Sequence, residues 1–277
     1  MPLLLHQRTA KLGAWIDDVQ QTWLGWSLPP AERAITEANW RRDDLAAYCR
    51  RCGSSVGAGE ATDTGCGSCR GKPMPVAGVV RLGPYVDPLR QWIPAIKYQR
   101  WSDMAELLGR QLGVALIESK LLDVSRCVVV PMPMPWQRRI YRGIDHALAI
   151  AGATAAELRA PLLQVLAAAN GTPQVGLSQT DRLRRGGRSI RLRRRPGGWG
   201  LRDIQIVLVD DVRTTGASMQ RAARVLRRAR PAGVIAAILA VSDDRARRDR
   251  VAATRKSQPQ TGLGGRASSP SDAPELS

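Results

Sequence analysis

The stretch Ile206-Val207-Leu208-Val209-Asp210-Asp211-Val212-Arg213-Thr214-Thr215-Gly216-Ala217-Ser218 decides how this 277-residue chain reads. Four consecutive apolar β-formers predict a strand buried on both faces, as in a parallel sheet. Two carboxylates stand where that strand is expected to end, and a hydroxyl- and glycine-containing turn follows. From Ser218 to Arg230 apolar residues recur at helical spacing (Met219, Ala222, Ala223, Leu226), so the turn opens a helix. Backbone N–H groups at such a helix start attract anions, and Thr214, Thr215 and Ser218 add hydroxyl donors. Gly216 lets a phosphate approach the backbone without a Cβ in the way. Asp210 and Asp211 supply acceptors suited to the paired hydroxyls of a ribose. A phosphate at one end and a diol at the other describe a ribose 5-phosphate. The other common phosphate-binding signatures, G-x-x-x-x-G-K-[ST] and G-x-G-x-x-G, do not occur.

Working outward, strands and helices alternate across the second half of the chain. Residues 86–97 and 103–122 read as amphipathic helices, Cys127-Val128-Val129-Val130-Pro131 as a buried strand, and 144–159 as a further helix. An apolar stretch at 161–168 is ambiguous, and 189–193 reads as a short strand. The core strand 205–210, the helix 217–229 and a third apolar strand from Val234 to Val241 complete the pattern. Met74 to Leu82 reads as a short hairpin strand. The fold class is therefore α/β, a parallel sheet flanked by helices, with ligands expected outside the carboxyl ends of the strands. Four parts are expected: a helical segment at 1–45, a cysteine unit at 46–75, the α/β domain at 85–242 and a disordered basic and polar tail at 243–277. In the first of these, Leu12, Trp15, Ile16, Val19 and Trp23 form an apolar face suited to packing on the body of the protein, with docking of a partner helix as the alternative.

The cysteine unit holds Cys49-Arg50-Arg51-Cys52 and Cys66-Gly67-Ser68-Cys69, separated by thirteen residues. Two C-x-x-C knuckles at this spacing match a four-cysteine structural zinc site, with Gly53 and Gly67 permitting the sharp turns. Such a site is closed and leaves no coordination position for chemistry. Two disulfides are the poorer reading for a protein expected in the cytoplasm. Cys127, inside an apolar run, reads as a core thiol. His6 and His146 are the only histidines, which excludes a histidine-rich metal site.

The formal net charge is +18, most of it arginine, and argues for a polyanionic partner. From Arg182 to Arg195 eight of fourteen residues are Arg, including Arg182, Arg184, Arg185 and Arg188, and none is acidic. Trp199 follows, and further arginines lie at 221, 224, 227, 228 and 230. A basic surface with an occasional aromatic suits single-stranded nucleic acid; a solvated loop with no partner is the alternative. No apolar run approaches the length of a membrane span, and the start lacks the basic flank of a secretory signal.

The strand–acid–acid–Thr-Thr-Gly-Ala-Ser run resembles the motif by which type I phosphoribosyltransferases bind phosphoribosyl pyrophosphate (PRPP). With the cysteine unit upstream, and with Ile96-Lys97-Tyr98, Val130-Pro131-Met132-Pro133, Arg142-Gly143-Ile144-Asp145-His146, and Thr172-Pro173-Gln174 with Leu177, Ser178 and Arg182 in this order, residues 47–242 resemble the ComF family. The resemblance implies that Asp210 and Asp211 hold the ribose hydroxyls and act as the catalytic acids. It implies that Arg213, Thr214, Thr215, Gly216, Ala217 and Ser218 cradle the 5′-phosphate, and that Arg142 and Gly143 line a pyrophosphate loop, with Mg²⁺ accompanying PRPP. It further implies single-stranded DNA uptake in natural transformation, beside a competence helicase. Asp145-His146 replaces the family's Asn-Gln, and Arg185 stands at the place of its loop asparagine. A carboxylate at 145 would repel phosphate unless Arg142 or Mg²⁺ compensates. Three functions stay open: a PRPP-binding protein of DNA uptake, an active transferase acting on a nucleobase or amine, and a scaffold that has lost its ligand. A glutaminase half, which would need an N-terminal catalytic cysteine, is not expected in a chain that begins Met1-Pro2.

Overall fold

The computed structural model describes residues 28–62, 64–134, 145–168, 190–195 and 198–242. In chain order these form α1 (Ala31–Glu37), β1 (Gly78–Pro84), α2 (Leu89–Tyr98), α3 (Ser102–Ser119), β2 (Cys127–Pro131), α4 (His146–Leu158), β3 (Leu166–Ala168), β4 (Ile190–Leu192), β5 (Gln205–Arg213), α5 (Ala217–Arg227) and β6 (Gly233–Val241). The main sheet has the order β1-β6-β5-β2 with every pair parallel. β3 and β4 form a separate antiparallel pair.

Burial of both sheet faces explains why the strands are continuous apolar runs rather than alternating ones. On one face Val80, Leu82, Val129, Val207, Val209 and Ile235 pack against Ile93, Leu108, Leu112, Leu116, Ile150 and Leu158 of α2, α3 and α4. On the other, Val79, Val130, Ile206, Leu208, Ala236 and Ile238 pack against Met219, Ala222 and Leu226 of α5 and Leu166 of β3. Each fully buried aliphatic side chain of this kind contributes about 1.5–3 kcal/mol relative to exposure. α3 and α4 approach closely because Gly109 and Gly113 face the partner helix. A Cβ on Gly109 would lie 2.6 Å from the Ile150 carbonyl oxygen, and one on Gly113 would lie 2.6 Å from Glu157 Cβ. The Thr154 hydroxyl, buried at this contact, donates to the Gly109 carbonyl at 3.0 Å. This packing fixes where the N-terminus of α4, and with it His146, meets the sheet.

Two elements differ from their sequence reading. The segment at Met74–Leu82 is no hairpin: β1 is an edge strand of the main sheet, in parallel register with β6 from Gly78↔Ile235 to Pro84↔Val241. It is buried because the cysteine unit covers its open edge. There the Val79 N–H donates to the Arg50 carbonyl at 2.7 Å, and the Asp43 N–H donates to the Leu82 carbonyl at 2.7 Å. The sheet therefore begins before the expected boundary at Tyr85. Secondly, β5 does not end at Asp210 but runs to Arg213, because β6 is long enough to pair with Val212 and Arg213. The ambiguous stretch at 161–168 resolves into a loop and the short strand β3. Cys127 is a core thiol, 5% exposed. Residues 1–27, with the tryptophan face, and the tail at 243–277 lie outside the described residues.

Candidate functional site

A cavity of about 240 Å³ opens at the carboxyl end of β5. It is lined by Lys97, Met132, Pro133, Met134, His146, Asp210, Asp211 and the turn from Arg213 to Met219, among others. The sheet topology brings these together. β2 and β5 are neighbours, so the residues following Pro131 stand beside those following Val209.

The extension of β5 decides how the two acids are arranged. Alternate residues of a strand face opposite sides. Ile206 and Leu208 lie in the α5 cluster, and Val207 and Val209 lie in the α2–α4 cluster. Continuing this alternation sends Asp210 toward α5 and Asp211 toward the side of α2 and α4. There Lys97 Nζ reaches Asp211 Oδ2 at 2.9 Å from the end of α2, and His146 Nε2 reaches the same oxygen at 2.6 Å from the start of α4. Asp211 is 7% exposed and His146 5%. Burial opposes ionisation of Asp211, but the His146 hydrogen bond and the Lys97 charge outweigh it and hold the carboxyl below its usual range. Asp210 lacks such partners. Burial first, then the neighbouring Asp211 charge, push it up to about 8, although the Asp211 N–H donates to Asp210 Oδ1 at 3.0 Å. The two acids that look alike in sequence thus differ: one is clamped and favoured as the carboxylate, the other is pushed toward its protonated form.

Beyond the acids, Gly216 adopts φ +75° at the N-cap of α5, a left-handed conformation suited to glycine. Thr214, Thr215, Ala217 and Ser218 are exposed around it. The first backbone N–H groups of α5 and these hydroxyls leave a set of hydrogen-bond donors facing the cavity. The Arg213 guanidinium does not point outward; Nη2 donates to Ser54 Oγ at 3.1 Å, and its stem packs under Gly216. Arg213 therefore ties the turn to the cysteine unit. Asp145 N-caps α4, its carboxylate accepting from the Leu148 N–H at 3.2 Å. Lys97 and His146 are the site residues that the sequence motifs left without a role. The only signals were the position of Lys97 in the Ile-Lys-Tyr element and of His146 in the altered turn. Arg142, Gly143, Arg182, Arg184, Arg185 and Arg188 lie outside the described residues.

The four cysteines converge. Their sulfurs lie within 4.8 Å of one another, with Cys49–Cys69 at 3.8 Å, Cys52–Cys66 at 3.6 Å and Cys66–Cys69 at 4.0 Å. A tetrahedron of sulfurs about 2.3 Å from a zinc ion has edges of about 3.8 Å, so the set fits such an ion. Each knuckle turns back on itself, with the Gly53 N–H donating to the Cys49 carbonyl and the Arg70 N–H to the Cys66 carbonyl. The expected glycine at the second knuckle is not Gly67 but Gly65. Its φ is +107°, and a Cβ there would sit 2.5 Å from Cys69 Sγ. Arg51 joins the knuckles, donating to the carbonyls of Thr64, Cys69 and Lys72 at 3.0, 2.7 and 2.6 Å. Burial pushes the Cys52 thiol up to about 12. Cys49 falls to about 7, because backbone N–H groups of Arg51, Cys52 and Cys66 overcome its burial. The unit is a cluster able to bind a metal, and Arg81 anchors it to the sheet. This side chain, 1% exposed, pairs with Asp43 at 2.6 Å and donates to the Gly53 carbonyl at 2.7 Å and Ser55 Oγ at 2.9 Å.

Parts of the chain are similar to known proteins. The model of the phosphoribosyl transferase domain family matches residues 145–260. Competence protein F of Haemophilus influenzae is 26% identical over 185 residues, covering 65% of this chain and 79% of that protein. DNA utilization protein YhgH of Escherichia coli is 35% identical over 81 residues, 28% of this chain; the match spans only about a third (34%) of YhgH. Among solved structures, an allosteric regulatory enzyme of purine biosynthesis aligns at 21% identity and TM-score 0.32, over 48% of this chain and 25% of the enzyme. A Trypanosoma cruzi hypoxanthine phosphoribosyl transferase aligns at 12% identity and TM-score 0.33, over 50% and 66%.

The parallel sheet with its flanking helices and the matching domain model define a protein of the phosphoribosyltransferase fold. With the four-cysteine cluster and the competence protein F and YhgH relatives added, the chain is ComF-like. Among the described residues no helix is long and apolar enough to cross a membrane.

Proposed function

We propose that this protein binds PRPP in the cavity at the end of β5 and takes part in handling single-stranded DNA in natural transformation. The observation that carries the first half is the division of labour around one strand end. Acceptors for a diol, Asp210 and Asp211, precede an exposed turn of N–H and hydroxyl donors, Thr214 to Ser218. In this reading the turn takes the 5′-phosphate, the acids take the ribose hydroxyls, and Mg²⁺ enters with the pyrophosphate as part of the ligand. Calorimetric titration with PRPP and Mg²⁺ tests it. Wild type is expected to bind and Asp210→Asn, Asp211→Asn to lose binding; a wild type that binds nothing would leave a relic pocket.

The second half is supported by the names of the relatives, a competence protein and a DNA utilization protein, and by charge. Arg191 lies in β4 and Arg193, Arg194 and Arg195 follow it; β4 packs against α5 with its Arg221, Arg224 and Arg227. No acidic residue occurs at 190–195 or 217–230. The Arg195 guanidinium stacks 5.0 Å over the Trp199 ring. Such a face suits the phosphates and bases of a single strand, the charge contacts dominating. Affinity for an oligonucleotide should fall by roughly 0.7 log units per log unit of salt for each phosphate neutralised; salt-independent binding would refute the electrostatic basis. A helicase partner, a cytoplasmic location and zinc as the ion of the cysteine cluster complete the reading.

An active phosphoribosyltransferase is the second reading, favoured by the ionised Asp211 close to where the ribose would lie. Acids there stabilise positive charge developing on the ring as pyrophosphate leaves. Release of pyrophosphate from PRPP in the presence of candidate bases separates it from simple binding.

A further inference from the structure

Lys97 is a cation at the edge of the pocket whose surroundings give it a task. It stands on the last turn of α2 beside the core residues Ile93 and Ile96, yet its ammonium reaches the pocket. An ammonium has three protons to donate. One goes to Asp211 Oδ2; the other two have no partner among the described residues. His146 shares that same oxygen, and among the described residues no partner takes Asp211 Oδ1, which leaves it available to a ligand hydroxyl. Asp211 thus holds a positive charge in a fixed position without using all of its own acceptor capacity.

The position of that charge matters. The phosphate turn leads into α5 on one face of the sheet, whereas Lys97 and His146 approach Asp211 from the α2–α4 face. In a ribofuranose C1 and C4 lie on either side of the ring oxygen, and C5 with its phosphate projects from C4. A sugar phosphate seated with its 5′-phosphate on the turn and its diol on the acids presents C1 away from the turn. Arg213, another cation lining the cavity, is engaged by Ser54 on the turn side.

Resting on the reading that this cavity takes PRPP, we propose that Lys97 is a ligand-binding residue that donates to the pyrophosphate on C1 and so makes the site prefer PRPP over ribose 5-phosphate. Asp211 and His146 act as positioning residues for it. A fixed ammonium loses little freedom on meeting an anion, and it is worth most in a cavity partly closed to water.

The test compares two ligands that differ only at C1. The full-length, metal-loaded protein is titrated calorimetrically with PRPP and with ribose 5-phosphate, each with Mg²⁺, as wild type, Lys97→Met and Lys97→Arg. Lys97→Met should lower PRPP affinity about ten- to a hundredfold and leave ribose 5-phosphate affinity within about threefold. Lys97→Arg should recover part of the loss, since it keeps the charge. Equal losses for both ligands, or no loss for either, would overturn the proposal: the first makes Lys97 a prop for the acid pair, the second a bystander. A wild type that binds neither ligand refutes the pocket assignment itself, a different result. If Lys97→Met melts early, Lys97→Gln, which keeps a polar side chain, reads the same ratio.

Discussion

Replacing Asp210 by Asn should stabilise the ligand-free protein, and the gain should grow with pH. Asp210 is pushed up to about 8 by burial and by the charge of Asp211, whereas the ordinary carboxylate value is 3.8. Between these values the folded state holds a proton that the unfolded chain has released. The unfolded state then binds fewer protons, and stability falls as pH rises. One proton of difference corresponds to at most about 1.4 kcal/mol per pH unit, so from pH 6 to 8 the wild type should lose up to about 2–3 kcal/mol relative to Asp210→Asn. Groups common to both proteins cancel in that difference. Asn keeps an acceptor for the Asp211 N–H, which removes the charge without removing the hydrogen bond. Urea denaturation of both proteins at pH 5, 6, 7 and 8, in magnesium-free buffer without ligand, reads the effect directly. The midpoints should diverge with pH and level off above about 8. A constant difference, or a wild type that gains on the variant as pH rises, would refute the assignment of Asp210 as the strained acid. The same substitution should abolish PRPP binding, the trade of stability for function expected where a carboxylate is kept in an unfavourable place.

Three further outcomes follow from the packing. Arg81→Met should cost about 3–5 kcal/mol, because it removes the ion pair to Asp43 and the hydrogen bonds to the Gly53 carbonyl and Ser55 that anchor the cysteine unit to β1; a loss below about 1 kcal/mol by urea denaturation would count against that anchor. Gly109→Ala drives a methyl group against the Ile150 carbonyl and Ala153, and should lower stability by about 1–3 kcal/mol with a matching fall in melting temperature. Purified protein should carry about one zinc per chain by elemental analysis, and Cys49→Ser should lower both the zinc content and the melting temperature; a metal-free preparation with an unchanged melting temperature would count against the site.

Much of this protein is local, and what is local was legible in its residues. The apolar run 206–209 and its neighbours at 127–130 and 234–241 are uninterrupted by polar residues, the pattern of strands in a sheet covered on both faces. The cysteine spacing carried its own geometry, because two knuckles need only their own turns to present four sulfurs. The strand–turn–helix around Gly216 is likewise a short-range feature, fixed by a left-handed glycine before an amphipathic helix.

What the sequence could not decide depends on partners far along the chain. β1 reads as part of a hairpin until β6 and the cysteine unit take its two edges. The length of β5 was set by the reach of β6, and those extra residues put Asp210 and Asp211 on opposite faces. Nothing in the pair Asp-Asp distinguishes one carboxyl from the other. Lys97, more than a hundred residues earlier, and His146, from another helix, favour the carboxylate of Asp211 and leave Asp210 pushed toward its protonated form. Periodicity and spacing determined the elements and the motif. Long-range packing alone decided which charges share the pocket, because electrostatic energy depends on distance through space and not along the chain.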